Sequence, residues 1–147
     1  MLSVKKIEES DLEKIACLEK EIFPDPWGMI GLKESLYQNH TVLLGAWLDE
    51  KLVGYVIFYF SSGEGEIARI AVDESVRRQG VASHLLLELE NVCEEKNIEK
   101  ILLDVRESNE TAIEFYKSHG FIEDGLRKNF YTKPTEDAIL MSRELGK

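Results

Sequence analysis

Val72-Asp73-Glu74-Ser75-Val76-Arg77-Arg78-Gln79-Gly80-Val81-Ala82-Ser83 carries the chain out of one regular element and into another. Before it, Gly65 to Val72 reads as a strand. After it, Gly80 to about Glu95 reads as a strong helix, with Ala82, Leu85, Leu86, Leu89, Val92 and Cys93 on one face. The first N–H groups of a helix lack internal partners and its dipole favours an anion there. Gly80 and Ala82 carry almost no side chain, so a phosphate can approach those amides closely. Arg77 and Arg78 bring positive charge, although a solvated arginine pair ahead of an ordinary helix has the same sequence. No Gly-Lys-Ser/Thr follows, as a Walker loop requires, and the second glycine of the dinucleotide fingerprint is missing. The turn fits a phosphate ligand and does not fit a nucleotide hydrolase.

Outward from this turn the pattern is regular. Leu2 to Ile7 reads as a strand, and Ser10-Asp11-Leu12-Glu13 as a capping box opening a helix. Leu12, Ile15, Ala16, Glu19 and Ile22 follow helical spacing, with Glu19 the polar exception. Phe23-Pro24-Asp25-Pro26-Trp27-Gly28 breaks that helix, and a shorter one runs to about Gln38. Thr41 to Trp47, Lys51 to Phe60 and Gly65 to Val72 are strand-like, with turns at Asp49-Glu50-Lys51 and Ser61-Ser62-Gly63, as in an antiparallel meander. Downstream lie a strand from Lys100 to Val105, a helix from Asn109 to His119, and strands from about Phe121 to Tyr131 and Asp137 to Arg143. The expectation is one α/β domain over residues 1–147, a mixed central sheet of about seven strands with helices on both faces.

A second informative segment is Asp104-Val105-Arg106-Glu107-Ser108-Asn109-Glu110-Thr111-Ala112-Ile113-Glu114-Phe115-Tyr116. Ser108 or Asn109 caps a helix whose Ala112, Phe115 and Tyr116 share a face. On that pattern alone Tyr116 reads as a core residue. Asp104 leaves a hydrophobic strand and needs a partner, which Arg106 on the same strand face would supply.

Composition narrows the class. Hydrophobic residues make up 44% and charged residues 31%, as in soluble globular proteins. No apolar run is long enough to cross a membrane and the N-terminus has no signal-peptide core, so a cytoplasmic protein is expected. A net charge of −10 argues against nucleic acid and fits a basic partner better. Cys17 and Cys93 each fall on the apolar side of a helix and read as small core residues. His40, His84 and His119 show no ligand spacing, so no metal site is expected.

Arg77-x-x-Gly80-x-Ala82 after a strand resembles the coenzyme A pyrophosphate loop of the GNAT superfamily of N-acetyltransferases, and the element order matches that fold. The resemblance implies acetyl-CoA as co-substrate. Its pantetheine arm would lie on Ile70, Ala71 and Val72, and its pyrophosphate near Arg77 and on the amides of Arg78, Gln79, Gly80, Val81, Ala82 and Ser83. The segment from Asp104 through Tyr116 to Gly120-Phe121 resembles the RimI-type branch, the ribosomal-protein alanine N-acetyltransferases. So do the turn at Phe23–Trp27 and the closing hairpin, Arg127 to Tyr131 and Glu136 to Met141. That resemblance implies Tyr116 as the general acid for the departing thiolate and Asn109 as a cofactor contact. It places Asp104 where the branch has a glutamate base; aspartate is one methylene shorter, which makes a water relay plausible. Trp27, Tyr131 and Glu136 are candidates for the acceptor groove, although all three also suit packing or solvated positions. The expected reaction is acetyl transfer to a protein N-terminus. The competing expectations are acetylation of a lysine or small amine, and a non-catalytic acyl-CoA-binding module.

Overall fold

The computed structural model describes residues 1–145. In chain order the elements are β1 (Leu2–Lys6), α1 (Leu12–Ile22), α2 (Met29–Tyr37), β2 (Thr41–Leu48), β3 (Lys51–Ser61), β4 (Glu64–Val72), α3 (Val81–Glu95), β5 (Lys100–Arg106), α4 (Glu110–Ser118), β6 (Ile122–Tyr131) and β7 (Glu136–Glu144). The strands form one sheet in the order β1-β2-β3-β4-β5-β7-β6. Every pairing is antiparallel except β4 with β5, which the α3 crossover makes parallel.

The meander alternates as a strand between two buried layers must. Tyr55 and Ile57 of β3 pack with α1 and α2, while Val56 and Phe58 pack with α3 and α4. The α3 helix buries Val81, Leu85, Leu86, Leu89 and Cys93 along one stripe. Leu89→Ala, at a fully buried position in the middle of that stripe, is expected to cost about 2–5 kcal/mol. The melting temperature should fall by roughly 5–15 °C. A calorimetric shift of a degree or less would mean that this layer is not the centre of the core.

Two local expectations are corrected. The first helix is entered through a 3₁₀ turn at Glu9–Asp11, and the Glu8 N–H donates to the Asp11 carboxylate at 2.9 Å, so Ser10 is not its cap. Cys17 is exposed, because its position falls off the stripe that Ile15 and Leu18 bury; Cys93 is buried. Glu19, the polar exception, is fully buried.

Two irregularities in β4 place the site. Its parallel pairing with β5 stops at Ile67 and Leu103, beyond which the two strands have no register and splay apart. The register with β3 skips Ala68, since Ile57 faces Arg69 and Phe58 faces Ile67. Such a bulge reverses the alternation of everything after it. Arg69 and Ala71 therefore turn toward α1 and α2, and Ile70 and Val72 toward α3 and α4.

Candidate active site

The turn into α3 leaves a row of backbone amides open. Gly80 holds φ +84°, left-handed backbone that glycine adopts without strain. Arg78 is also left-handed, at φ 68°. Among the described residues, the N–H groups of Arg78 through Ser83 find no backbone acceptor, and the first helical bond is His84 N–H to Gly80 C=O at 3.0 Å. Arg77 and Arg78 stand exposed beside this row of amides, with Arg77 anchored through Nε to the Val72 carbonyl at 3.2 Å.

A cavity of about 740 Å³ occupies the splay between β4 and β5. It reaches both faces of the sheet. Asn109, Ala112 and Tyr116 of the α4 segment line one side; Phe23, Trp27 and Tyr131 line the other. Beyond Ile67 the edge of β4 that faces β5 has no strand partner, so its N–H and C=O groups, apart from the Val72 carbonyl that Arg77 bonds, stay available to a bound chain.

Tyr116 is buried from the α3/α4 side, with edge contacts to Phe115 and Phe121 at 5.4 Å. No described residue hydrogen-bonds its hydroxyl, which lines the cavity. Burial, with a smaller contribution from Tyr131, raises the phenol above its ordinary value. Asn109 caps α4, its Oδ1 accepting from the Ala112 N–H at 3.1 Å. Ser108, the other candidate cap, instead donates its N–H to Glu136 at 2.6 Å.

On the α1/α2 face the alternation of β5 leaves Lys100, Leu102, Asp104 and Arg106 half-buried while Ile101, Leu103 and Val105 are buried. Asp104 is not paired with Arg106. Its cation is Arg127 of β6, with Nε at 3.9 Å, because Arg106 turns away to Glu136 at 3.2 Å. Beside Asp104 lies Glu66 of β4, a residue that sequence reading missed. Both carboxylates line the cavity. Partial burial and the Asp104 charge hold Glu66 above the usual carboxylate value, against a smaller pull from Arg127. Burial first, then the Asp104 charge, pushes Tyr131 up to about 12.

The structure brings Trp27 and Tyr131 to the cavity wall, whereas Glu136 supports that wall from behind. Both Glu136 oxygens are engaged, by Arg106 and the Ser108 N–H; the Ser108 side chain first, then its N–H and Arg106, hold the carboxyl below the usual value against some burial. Arg69 and Glu19 were also missed, although a signal was present. Arg69 is a charge inside an apolar run and Glu19 a charge on the apolar face of a helix, and two such residues of opposite sign predict a buried pair.

The profile of the acetyltransferase (GNAT) family matches residues 12–121. The ribosomal protein bS18-alanine N-acetyltransferase of Escherichia coli K12 is 30% identical over 147 residues, covering 97% of each chain. The N-alpha-acetyltransferase RimI of Mycobacterium tuberculosis H37Rv is 29% identical over 151 residues, covering 99% of this chain and 94% of its own. The crystal structure of the Escherichia coli enzyme superposes with a TM-score of 0.92 at 28% identity, covering 100% of this chain and 96% of that one. The unpartnered amides ahead of α3 and the splayed strand pair thus sit in a chain that belongs to the acetyltransferase (GNAT) family, in its RimI-like branch, and is an acetyl-CoA-dependent N-acetyltransferase.

Proposed function

We propose that this single-domain enzyme acetylates the α-amine of a protein N-terminus in the cytoplasm, with a small basic ribosomal protein as its natural acceptor. The observation that carries the reading is the cavity that passes between β4 and β5. It lets acetyl-CoA lie on the α3/α4 side, pyrophosphate on the Arg78–Ser83 amides and pantetheine along Ile70–Val72, while the amine arrives from the α1/α2 side. The neutral amine attacks the thioester carbon, the C–N bond forms as the C–S bond breaks, and Tyr116 protonates the departing thiolate. The amine's proton passes to the Glu66–Asp104 pair, directly or through water. Unpartnered β4 amides polarise the carbonyl oxygen.

The substrate class follows from the cost of a neutral amine. At pH 7 an α-amine of pKa roughly 7.7–8.0 needs only about 1–1.4 kcal/mol, and a lysine near 10.4 about 4.6 kcal/mol. A shared, partly exposed carboxylate pair suits the first. The charge near the cavity agrees with a basic acceptor. A neighbouring cavity of about 660 Å³ on the helix-free half of the α1/α2 face shares Tyr59, Glu66 and Asp104 and adds Glu64 and Asp124, against Lys100 and Arg127.

Coenzyme A release from acetyl-CoA is measured with two peptides: one with a free N-terminal Ala or Ser, one N-terminally blocked and carrying lysines. Turnover confined to the first is the expected result. Turnover on the blocked peptide moves the assignment to lysine. Silence with both, despite tight acetyl-CoA binding, points to a small-amine acceptor or to a binding module.

A further inference from the structure

The two lips of the splay carry matching devices. On β4, Arg69 donates through Nε (3.3 Å) and Nη2 (3.1 Å) to the fully buried Glu19, and through Nη2 to the Asp25 carbonyl at 2.8 Å. Its guanidinium lies 3.8 Å from the Phe23 ring and 5.6 Å from Trp27. Glu19 also accepts from the Trp27 N–H at 2.8 Å and from the Tyr55 hydroxyl. On β5, Arg106 donates to the carbonyls of Thr132 and Pro134, both at 3.0 Å, and to Glu136 at 3.2 Å. Its guanidinium lies 4.5 Å from the Tyr131 ring. Each strand thus sends out one arginine that ties down a turn by its backbone carbonyls, stacks on its aromatic residue and is held by a glutamate.

A planar, always-charged fork suits this task, because it bonds carbonyls at its edge and stacks on a ring by its face. A buried carboxylate such as Glu19 costs several kcal/mol in desolvation unless all its acceptor positions are met, and here two arginine nitrogens, a phenol and an amide meet them. The turn from Phe23 to Trp27 is short and proline-rich, and its one helical bond is Phe23 N–H to the Glu19 carbonyl at 2.9 Å, which closes α1. Beyond Phe23 it is held by Glu19 at the Trp27 N–H and by Arg69 of β4 at the Asp25 carbonyl.

The geometry points to Arg69 and Arg106 as paired positioning residues. They set the gap between the α1–α2 turn and the β6–β7 hairpin, and hence the slot into which the acceptor's first residues fit. This rests on the reading above that the acceptor enters from the α1/α2 side. Acetyl-CoA approaches from the other face, so the two substrates should respond differently when a tie is cut.

Removing Arg69 alone would leave Glu19 buried and unpaired, so the test at that lip is Glu19→Gln with Arg69→Met, beside Glu19→Gln alone. At the other lip it is Arg106→Met, with Arg106→Lys as the conservative variant. The expected result with an Ala-initiated peptide is a rise in peptide KM of about 10-fold at either lip, with acetyl-CoA KM within about twofold and kcat little changed. Lysine at 106 should restore little, because it cannot reach both carbonyls while stacking. Equal rises in both KM values, or lower melting temperature with peptide KM unmoved, overturn the inference. Acrylamide quenching of Trp27, taken as the difference between proteins with and without Trp27→Phe, needs no acceptor. It should rise when Arg69 and Glu19 are replaced together, and unchanged quenching overturns the tie at that lip. If the wild-type enzyme turns over no N-terminal peptide, the acceptor reading fails while the quenching result still decides whether Arg69 holds its wall.

Discussion

Tyr116→Phe is expected to lower kcat by about 10²-fold or more while acetyl-CoA binds within about twofold of its wild-type affinity. The ring is buried against Phe115 and Phe121, and phenylalanine keeps those contacts. What is lost is a hydroxyl that lines the splay and that no described residue hydrogen-bonds. Burial raises the phenol above its ordinary value, so it stays protonated throughout the pH range in which the amine attacks. A thiol of ordinary pKa, about 8.5, leaves poorly as its anion into a site with little water, and a positioned proton donor contributes about 10²–10⁴-fold. The check is stopped-time release of coenzyme A with a thiol reagent, paired with calorimetric titration of acetyl-CoA. Retained turnover would mean that solvent protonates the thiolate and that Tyr116 is only a wall of the cavity. Unchanged function in every assay would favour the binding module.

The sequence made most of this arrangement legible because its signals are local. Gly80 opening an apolar helix, Asn109 ahead of Ala112, and the proline-rich break after Ile22 each announce themselves within a few residues. All the sheet elements appear in the expected order. What was not legible depends on pairing between distant segments. Glu66 reads as a solvated charge near a glycine turn, and only the parallel register of Glu64 with Lys100 brings it beside Asp104. Arg69 reads as a charge in a strand whose plain alternation would aim it elsewhere, and the bulge at Ala68 reverses that alternation. The pairing of Asp104 with Arg106 followed from their shared strand face and failed, since the longer Arg106 side chain reaches the hairpin carbonyls and Arg127 arrives from the edge strand. Glu136 looked like a groove residue because it lies near the hairpin; its oxygens are in fact taken up by Arg106 and Ser108.

Glu66→Gln and Asp104→Asn are each expected to lower kcat/KM by less than about 10-fold, and the two together by about 10²-fold or more. The reason is redundancy. The two carboxylates line one cavity, so either one can take the amine's proton when the other is gone. Asp104 is short for the task, and Glu66 reaches in from the opposite strand. The pH profile assigns the pair more sharply than the rates do. Wild-type kcat/KM should rise with pH first through the raised value of Glu66 and again through the α-amine near roughly 7.7–8.0. Asp104→Asn removes a like charge beside Glu66, which favours the Glu66 anion, so the acidic limb should move to lower pH. Glu66→Gln should abolish that limb and leave the amine's. Loss of fold would not imitate this result. A carboxyl whose folded value exceeds its unfolded one contributes stability below the unfolded value and loses it as pH rises through the folded one, so replacing Glu66 should not destabilise the protein at pH 7–8. Two single variants with full additive losses would instead mean separate duties, one carboxylate taking the proton and the other orienting the amine.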